Sequence, residues 1–132
     1  MSATAEATDR VAIERVVHLY IDGAAKGDAD KLRQAFHEDA RMFGSVGGNR
    51  IDVPIGQMIE MAVAGPMDSG GNYDATIAAV EQVGDAATVR LEESGCWGTA
   101  SFVDFSLSRF ESGWKIVNKT FAHTGGDVPM PA

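Results

Sequence analysis

The hydrophobic period of this chain changes once, near residue 72, and that single change restricts what it can fold into. Before it, Ile13, Val16, Val17, Tyr20, Ile21 and Ala24 recur at i, i+3, i+4, i+7, i+8 and i+11, one apolar stripe of an α-helix. Thr8 or Asp9 can cap its start and Gly27 ends it. Asp28 then caps a short second helix whose inner side is Leu32, Ala35 and Phe36. A short strand over Ala40–Gly44 follows, then a glycine-rich loop to Gly48. Pro54 opens a third helix with Ile55, Met58, Ile59 and Ala62 inward, and Gly65-Pro66 closes it before a loop from Met67 to Gly71. Beyond Asn72 the period is 2. Turn signals at Gly84-Asp85, Gly98-Thr99 and Ser112-Gly113, 14 residues apart, cut the segment to His123 into four antiparallel strands of about ten residues each. Strands of that length twist and coil, so the sheet should curl around the helices. The reading is one α+β domain, with residues 1–8 and 124–132 as flexible tails.

Composition removes several function classes. A net charge of −8 argues against a nucleic-acid partner, whose phosphates attract Lys and Arg. No apolar run approaches ~18 residues, so no membrane span is expected. The first ten residues lack the apolar stretch of a signal peptide, and Cys96, the one cysteine, suits a reducing compartment; both point to the cytoplasm. His37-Glu38-Asp39-Ala40-Arg41 begins like a zinc-protease motif but has Arg41 where the second histidine belongs. Neither a metal nor a cofactor is implied.

The run Tyr20…Gly27-Asp28…Leu32…Phe36…Glu38-Asp39-Ala40 resembles the opening of NTF2-like proteins. Phe102-Val-Asp-Phe-Ser-Leu107 and Gly113-Trp-Lys-Ile-Val-Asn-Lys119, with Gly48–Ile55 between, are similar to the putative lumazine-binding, SnoaL-like branch. The resemblance covers about residues 10 to 123. It implies a cystatin-like cone: N-terminal helices packed in a strongly curved antiparallel sheet, an interior pocket, and homodimers formed through the outer sheet face. Tyr20 stands eight residues before Asp28, where the ketosteroid isomerases of that superfamily carry an oxyanion-hole tyrosine. Their aspartate base would fall eight residues beyond Phe36, and here that position is Gly44. Without a side chain there, the isomerase proton shuttle has no base.

The strand pattern nominates the pocket. A two-residue turn at Glu111-Ser112 pairs Leu107 with Ile116, Phe105 with Asn118, Val103 with Thr120 and Arg109 with Trp114. This register sends Phe105, Trp114 and Asn118 inward and sets Asp104 against Lys119 on the outside; a slip of one residue brings Asp104 in. Glu93 faces inward with Val89, Leu91 and Trp97 unless a bulge near Gly95 turns it outward, the reading we favour.

On these grounds the chain should bind a small apolar or aromatic molecule between Tyr20, Phe36, Met58, Trp97, Phe105 and Trp114, with Asn118 as a polar tether. Two alternatives stand beside it. One is a cofactor-independent isomerase, cyclase or dehydratase using Tyr20 with Glu93 or Asp104 as acid and base, which requires one of these carboxylates inside the pocket. The other is a dimeric scaffold with a solid cone and an apolar patch near Phe102 and Phe121.

Overall fold

The computed structural model describes residues 3–46, 48–98 and 100–126, and the side chains of residues 3–8, 100 and 102–105 lie outside the described part. Three helices, α1 (Ala3–Lys26), α2 (Ala29–Ala35) and α3 (Ile55–Ala64), pack on a six-stranded sheet. Its strands are β1 (Phe36–Val46), β2 (Asn49–Pro54), β3 (Asp74–Val83), β4 (Ala86–Cys96), β5 (Ala100–Phe110) and β6 (Gly113–Gly125), in the order β2-β1-β6-β5-β4-β3. The architecture is the expected α+β one, with a curved sheet. Every neighbouring pair is antiparallel except β1 and β6, which run parallel.

The stripe on α1 is the centre of the core: Ile13, Val17, Tyr20 and Ala24 are fully buried. The helix begins at Ala3, more than a turn before Thr8 and Asp9, because alanine-rich sequence propagates a helix easily. Asp9 therefore does not cap α1. Its carboxylate accepts hydrogen bonds from Gln82 (2.7 Å) and Arg109 (2.7 Å), tying α1 to β3 and β5. At the other end of the helix Gly23 permits α2 to come close, since a Cβ there would lie 2.8 Å from Leu32 Cγ. Asp28 caps α2 by accepting from the Lys31 N–H at 3.2 Å. On α3, Ile55, Met58, Ile59 and Ala62 are all buried, matching their helical spacing.

Two elements differ from expectation. β1 is twice the predicted length and starts at Phe36, directly after α2, because Phe36 ends that helix in an extended conformation and pairs with Ile116. β2 was not anticipated; its two apolar positions, Ile51 and Val53, are too few for a period-2 signal.

The β5–β6 register carries the larger correction. The Leu107–Ile116 and Arg109–Trp114 pairs form, and Glu111-Ser112 is the turn. Beyond them Ser106 pairs with Asn118 and Val103 with Ala122, instead of Phe105 with Asn118 and Val103 with Thr120. Val117 is left unopposed as a bulge, and a bulge reverses which residues face the core. Along β6 the buried set is accordingly Trp114 and Ile116, then Lys119 and Phe121. Asn118 turns outward and Lys119 inward, the opposite of the sequence reading.

Gly44 pairs with Phe121 across β1 and β6, and a Cβ on it would sit 2.6 Å from both the Phe121 ring and its carbonyl oxygen. Gly44→Ala should lower stability by about 1–3 kcal/mol through this overpacking. Gly56→Ala, at an α3 position with open space around it, should raise stability by about 0.5–1 kcal/mol. Urea unfolding midpoints of the two variants should move in opposite directions.

Candidate functional site

A cavity of about 50 Å³ opens between α3 and the inner face of β1, β2 and β6. Its walls are almost wholly apolar. Met58, Met61 and Ala62 come from α3, Met42 from β1, Phe121 from β6, and Trp97 from the β4–β5 turn. Met67, on the turn after α3, completes the side next to α1, and Lys119 supplies the one charged group of the lining. Methionine thioethers adapt to irregular shapes, so four of them around one space make its volume adjustable.

Trp97 is fixed unusually firmly. Its backbone adopts a left-handed φ of 53°, rare for a bulky residue. The conformation is held by its N–H on the Met67 carbonyl (2.7 Å) and its indole N–H on the Gly65 carbonyl (2.7 Å). These bonds clamp the β4–β5 turn to the chain leaving α3 and set the indole against the cavity.

Behind Met67 and Lys119 lies a buried polar cluster. Glu93 is 3% exposed, with its carboxylate inside the sheet. The Tyr20 hydroxyl approaches both of its oxygens, at 3.2 and 3.1 Å, and the Tyr73 hydroxyl donates to Oε2 at 2.8 Å. The same Tyr20 hydroxyl lies 3.8 Å from Met67 Sδ, which links the cluster to the cavity wall. The favoured outward position of Glu93 is thereby overturned. A bulge does occur at Gly95, where φ is 65°, but it falls between Glu93 and Cys96 and comes too late in β4 to rotate the glutamate.

Burial and the Glu93 charge both push the Tyr20 and Tyr73 phenols above their ordinary range, so they are neutral donors to the carboxylate. Burial likewise raises the Cys96 thiol to about 12, with the Glu93 charge adding to it. Lys119 is 3% exposed, and its ammonium lies 4.8 Å from the Phe121 ring centre and 5.6 Å from that of Tyr20. Desolvation drives its pKa below the usual lysine value, while the charge of Glu93 acts in the opposite sense.

The expected site residues divide into three groups. Met58 and Trp97 line the cavity, and Tyr20 reaches it through Met67. Phe36 stands behind Tyr20 in an edge-to-face contact of 5.8 Å. Trp114 is remote from the cavity, beneath the Arg109 guanidinium at 5.2 Å. Asn118 accepts from Thr120 Oγ1 at 2.8 Å on the outer face and cannot be the polar tether. The side chains of Asp104 and Phe105 lie outside the described residues; the Phe105 backbone pairs with Val89. Phe121 is buried in the cavity wall rather than on a convex patch. Sequence reasoning missed Lys119 because of the bulge, and Tyr73 because it precedes β3 in a segment without period.

At the isomerase base position, Gly44 lies against Phe121 with no room for a Cβ. Among the described residues, no group of three His, Cys, Asp or Glu side chains could hold a metal ion, and no helix is long and apolar enough to cross a membrane.

The proton balance predicts a stability profile. Above pH 9.0 the unfolded thiol of Cys96 ionises while the folded one keeps its proton up to about 12, so its contribution is full below 9.0 and lost as pH rises to about 12. The two phenols act in the same direction above 10.0. Lys119 opposes them, because the unfolded amine holds its proton up to 10.5 and the folded one releases it earlier. Urea midpoints should therefore fall with pH above about 9, and fall less steeply in Cys96→Ala. Tyr20→Phe should cost about 1–3 kcal/mol in the same measurement by removing a buried donor from Glu93, and Tyr73→Phe less, since water can reach its partly exposed ring.

Residues 8–122 match the family described as putative lumazine-binding. An NTF2-like protein of unknown function from Shewanella baltica is similar with a TM-score of 0.78 at 26% identity, over 100% of this chain and 99% of that one. Another from Methylobacillus flagellatus gives 0.80 at 29% identity, over 93% and 94% of the two chains. A ketosteroid isomerase-like protein from Erwinia carotovora atroseptica gives 0.63 at 16% identity, over 86% and 95%, a likeness of fold alone. No curated protein matches the sequence.

Proposed function

We propose, for a chain that belongs to the putative lumazine-binding family, that it holds a small apolar or aromatic molecule in the cavity between α3 and the sheet. The carrying observation is the cavity itself, an apolar wall of methionines, Trp97 and Phe121 with Lys119 as a single charged group. At about 50 Å³ the space is several times the minimum for one water, and rotation of Met42, Met58, Met61 and Met67 would enlarge it for a planar ligand. Lys119 replaces Asn118 as the polar tether, and can direct a ligand's acceptor oxygen towards itself. A homodimer, on the family resemblance, and a cytoplasmic location, on the single cysteine, remain part of this reading.

The test compares native with denaturing mass spectra of freshly purified protein, and then titrates the emptied protein with lumazine. Trp97 emission, read in a Trp114→Phe background, should change saturably. Ala62→Phe, which fills the cavity from α3, should abolish the change while leaving the fold intact by circular dichroism. An empty native spectrum together with a non-saturable titration would count against the binder.

A second reading is favoured by the buried position of Glu93: a cofactor-independent acid–base enzyme acting on the same class of molecule. Tyr20 and Tyr73 hold the carboxylate in place, with Tyr20 against the cavity-lining Met67. In this reading, exchange of the α-protons of a small apolar ketone in deuterium oxide should be accelerated by the protein. Glu93→Gln should reduce that acceleration by about 10²-fold or more, and unchanged exchange would remove Glu93 from the chemistry.

A further inference from the structure

The cavity wall reaches solvent in one sector. Among the described lining residues, Met42, Met58, Ala62, Lys119 and Phe121 are at most 7% exposed, Ile51 and Trp97 are half-buried, and Met61 is 44% exposed. Met61 is therefore wall and surface at once, and it marks the mouth. The residues beside it are stiff. Trp97 is pinned through its backbone and indole N–H groups to Met67 and Gly65, and Gly65 in turn donates to the Met61 carbonyl at the end of α3. Ile51, β-branched and so restricted at χ1, sits on β2 in register with Gly44 of β1. Met61 is unbranched, and its side chain changes rotamer at little cost.

We propose that Met61 is the gate of this cavity, and that by swinging between Ile51 and Trp97 it sets how fast a ligand enters and leaves and how wide a ligand can pass. The proposal rests on the binding function above and adds its route and its size selection. The helix that carries Met61 is held down, so the passage depends on a side chain and not on lifting of α3. Ile55, Met58, Ile59 and Ala62 bury its inner side. The turn between α1 and α2 presses on its last residues, where a Cβ on Gly27 would lie 2.9 Å from the Ala62 carbonyl oxygen and 3.1 Å from the Pro66 ring. The three residues at the mouth are all apolar, and a charged molecule would have to shed its hydration against them. The gate thus favours uncharged, slender or planar ligands. A gate stands in the path of both entry and exit, so easing it speeds both by the same factor and leaves affinity as it was, whereas a residue that only grips the ligand acts on dissociation.

The test follows lumazine binding to the full chain by stopped-flow, reading Trp97 emission in the Trp114→Phe background. Met61→Ala should raise the association and dissociation rates together, each by about tenfold, with Kd nearly unchanged. Met61→Ile, of similar bulk but stiff at χ1, should lower both. Met58→Leu, a volume-conserving change in the wall behind the mouth, should leave the association rate as it was. If Met61→Ala alters the dissociation rate alone, Met61 only grips the ligand; if it alters neither rate, ligands enter elsewhere. Either result overturns the gate and leaves the binding function standing, because the emission change still saturates. No saturable change in the chain with Met61 in place would remove the binding function and the gate with it.

Discussion

The Glu93 carboxylate is the group around which the interior is arranged. It lies on β4 between Leu91 and Cys96, both fully buried, in surroundings where an unsatisfied charge would cost several kcal/mol. Its donors come from separate parts of the chain: Tyr20 from α1 and Tyr73 from the segment entering β3. Lys119, from β6, adds a neighbouring charge of opposite sign. Satisfying one carboxylate therefore fixes the rotation of α1, the course of the chain before β3 and the inner side of β6. A turn of α1 by one residue would remove Tyr20 from the cluster and leave the apolar stripe misaligned with the sheet. The hydrogen bonds and the hydrophobic pattern select the same orientation, which is the consistency expected of a uniquely folded core.

Irregularities in the strands set the character of the site. Val117 is unopposed on β6, and the change of parity that follows brings Lys119 and Phe121 inside while Asn118 and Thr120 face out. β1 has a comparable shift between Phe36 and Arg41. Such bulges bend a sheet and re-aim its side chains, and the cavity lies between the inner face so formed and α3. Gly44 works in the other direction. With no side chain it lets the Phe121 ring close over β1, so the space is bounded by an aromatic wall where the isomerases would carry a base.

The cavity and the carboxylate cluster are neighbours with different properties. The wall of methionines can change shape at little cost, whereas Glu93 with its two tyrosines is directionally bonded and Trp97 is held in a strained backbone conformation. A ligand would thus meet an adaptable surface on the α3 side and a rigid polar one behind Lys119 and Met67. Rigid groups beside a yielding wall suit both selection by functional group and tolerance in overall shape.

Local periodicity was enough to identify the α+β class, the buried faces of all three helices and the hairpin turns, because each depends on spacing within one element. Gly27, Pro54 and Glu111-Ser112 act through backbone conformation, and Asp28 through a side-chain bond to an N–H three residues on, so all could be placed from the chain itself. The family resemblance, carried by Tyr20, Asp28 and the residues of the last two strands, supplied the curved sheet. The site was only partly legible. Met58, Trp97 and Tyr20 follow from the apolar pattern, but Lys119 and Asn118 exchange faces through a bulge, and Glu93 finds partners 73 and 20 residues away. A bulge changes no local period before it occurs, and a hydrogen bond across the core has no spacing in sequence. The sequence by itself determined which residues each helix and strand could bury; only the tertiary structure decided which polar groups would be enclosed with them, because that choice depends on strand register and on partners brought together by folding.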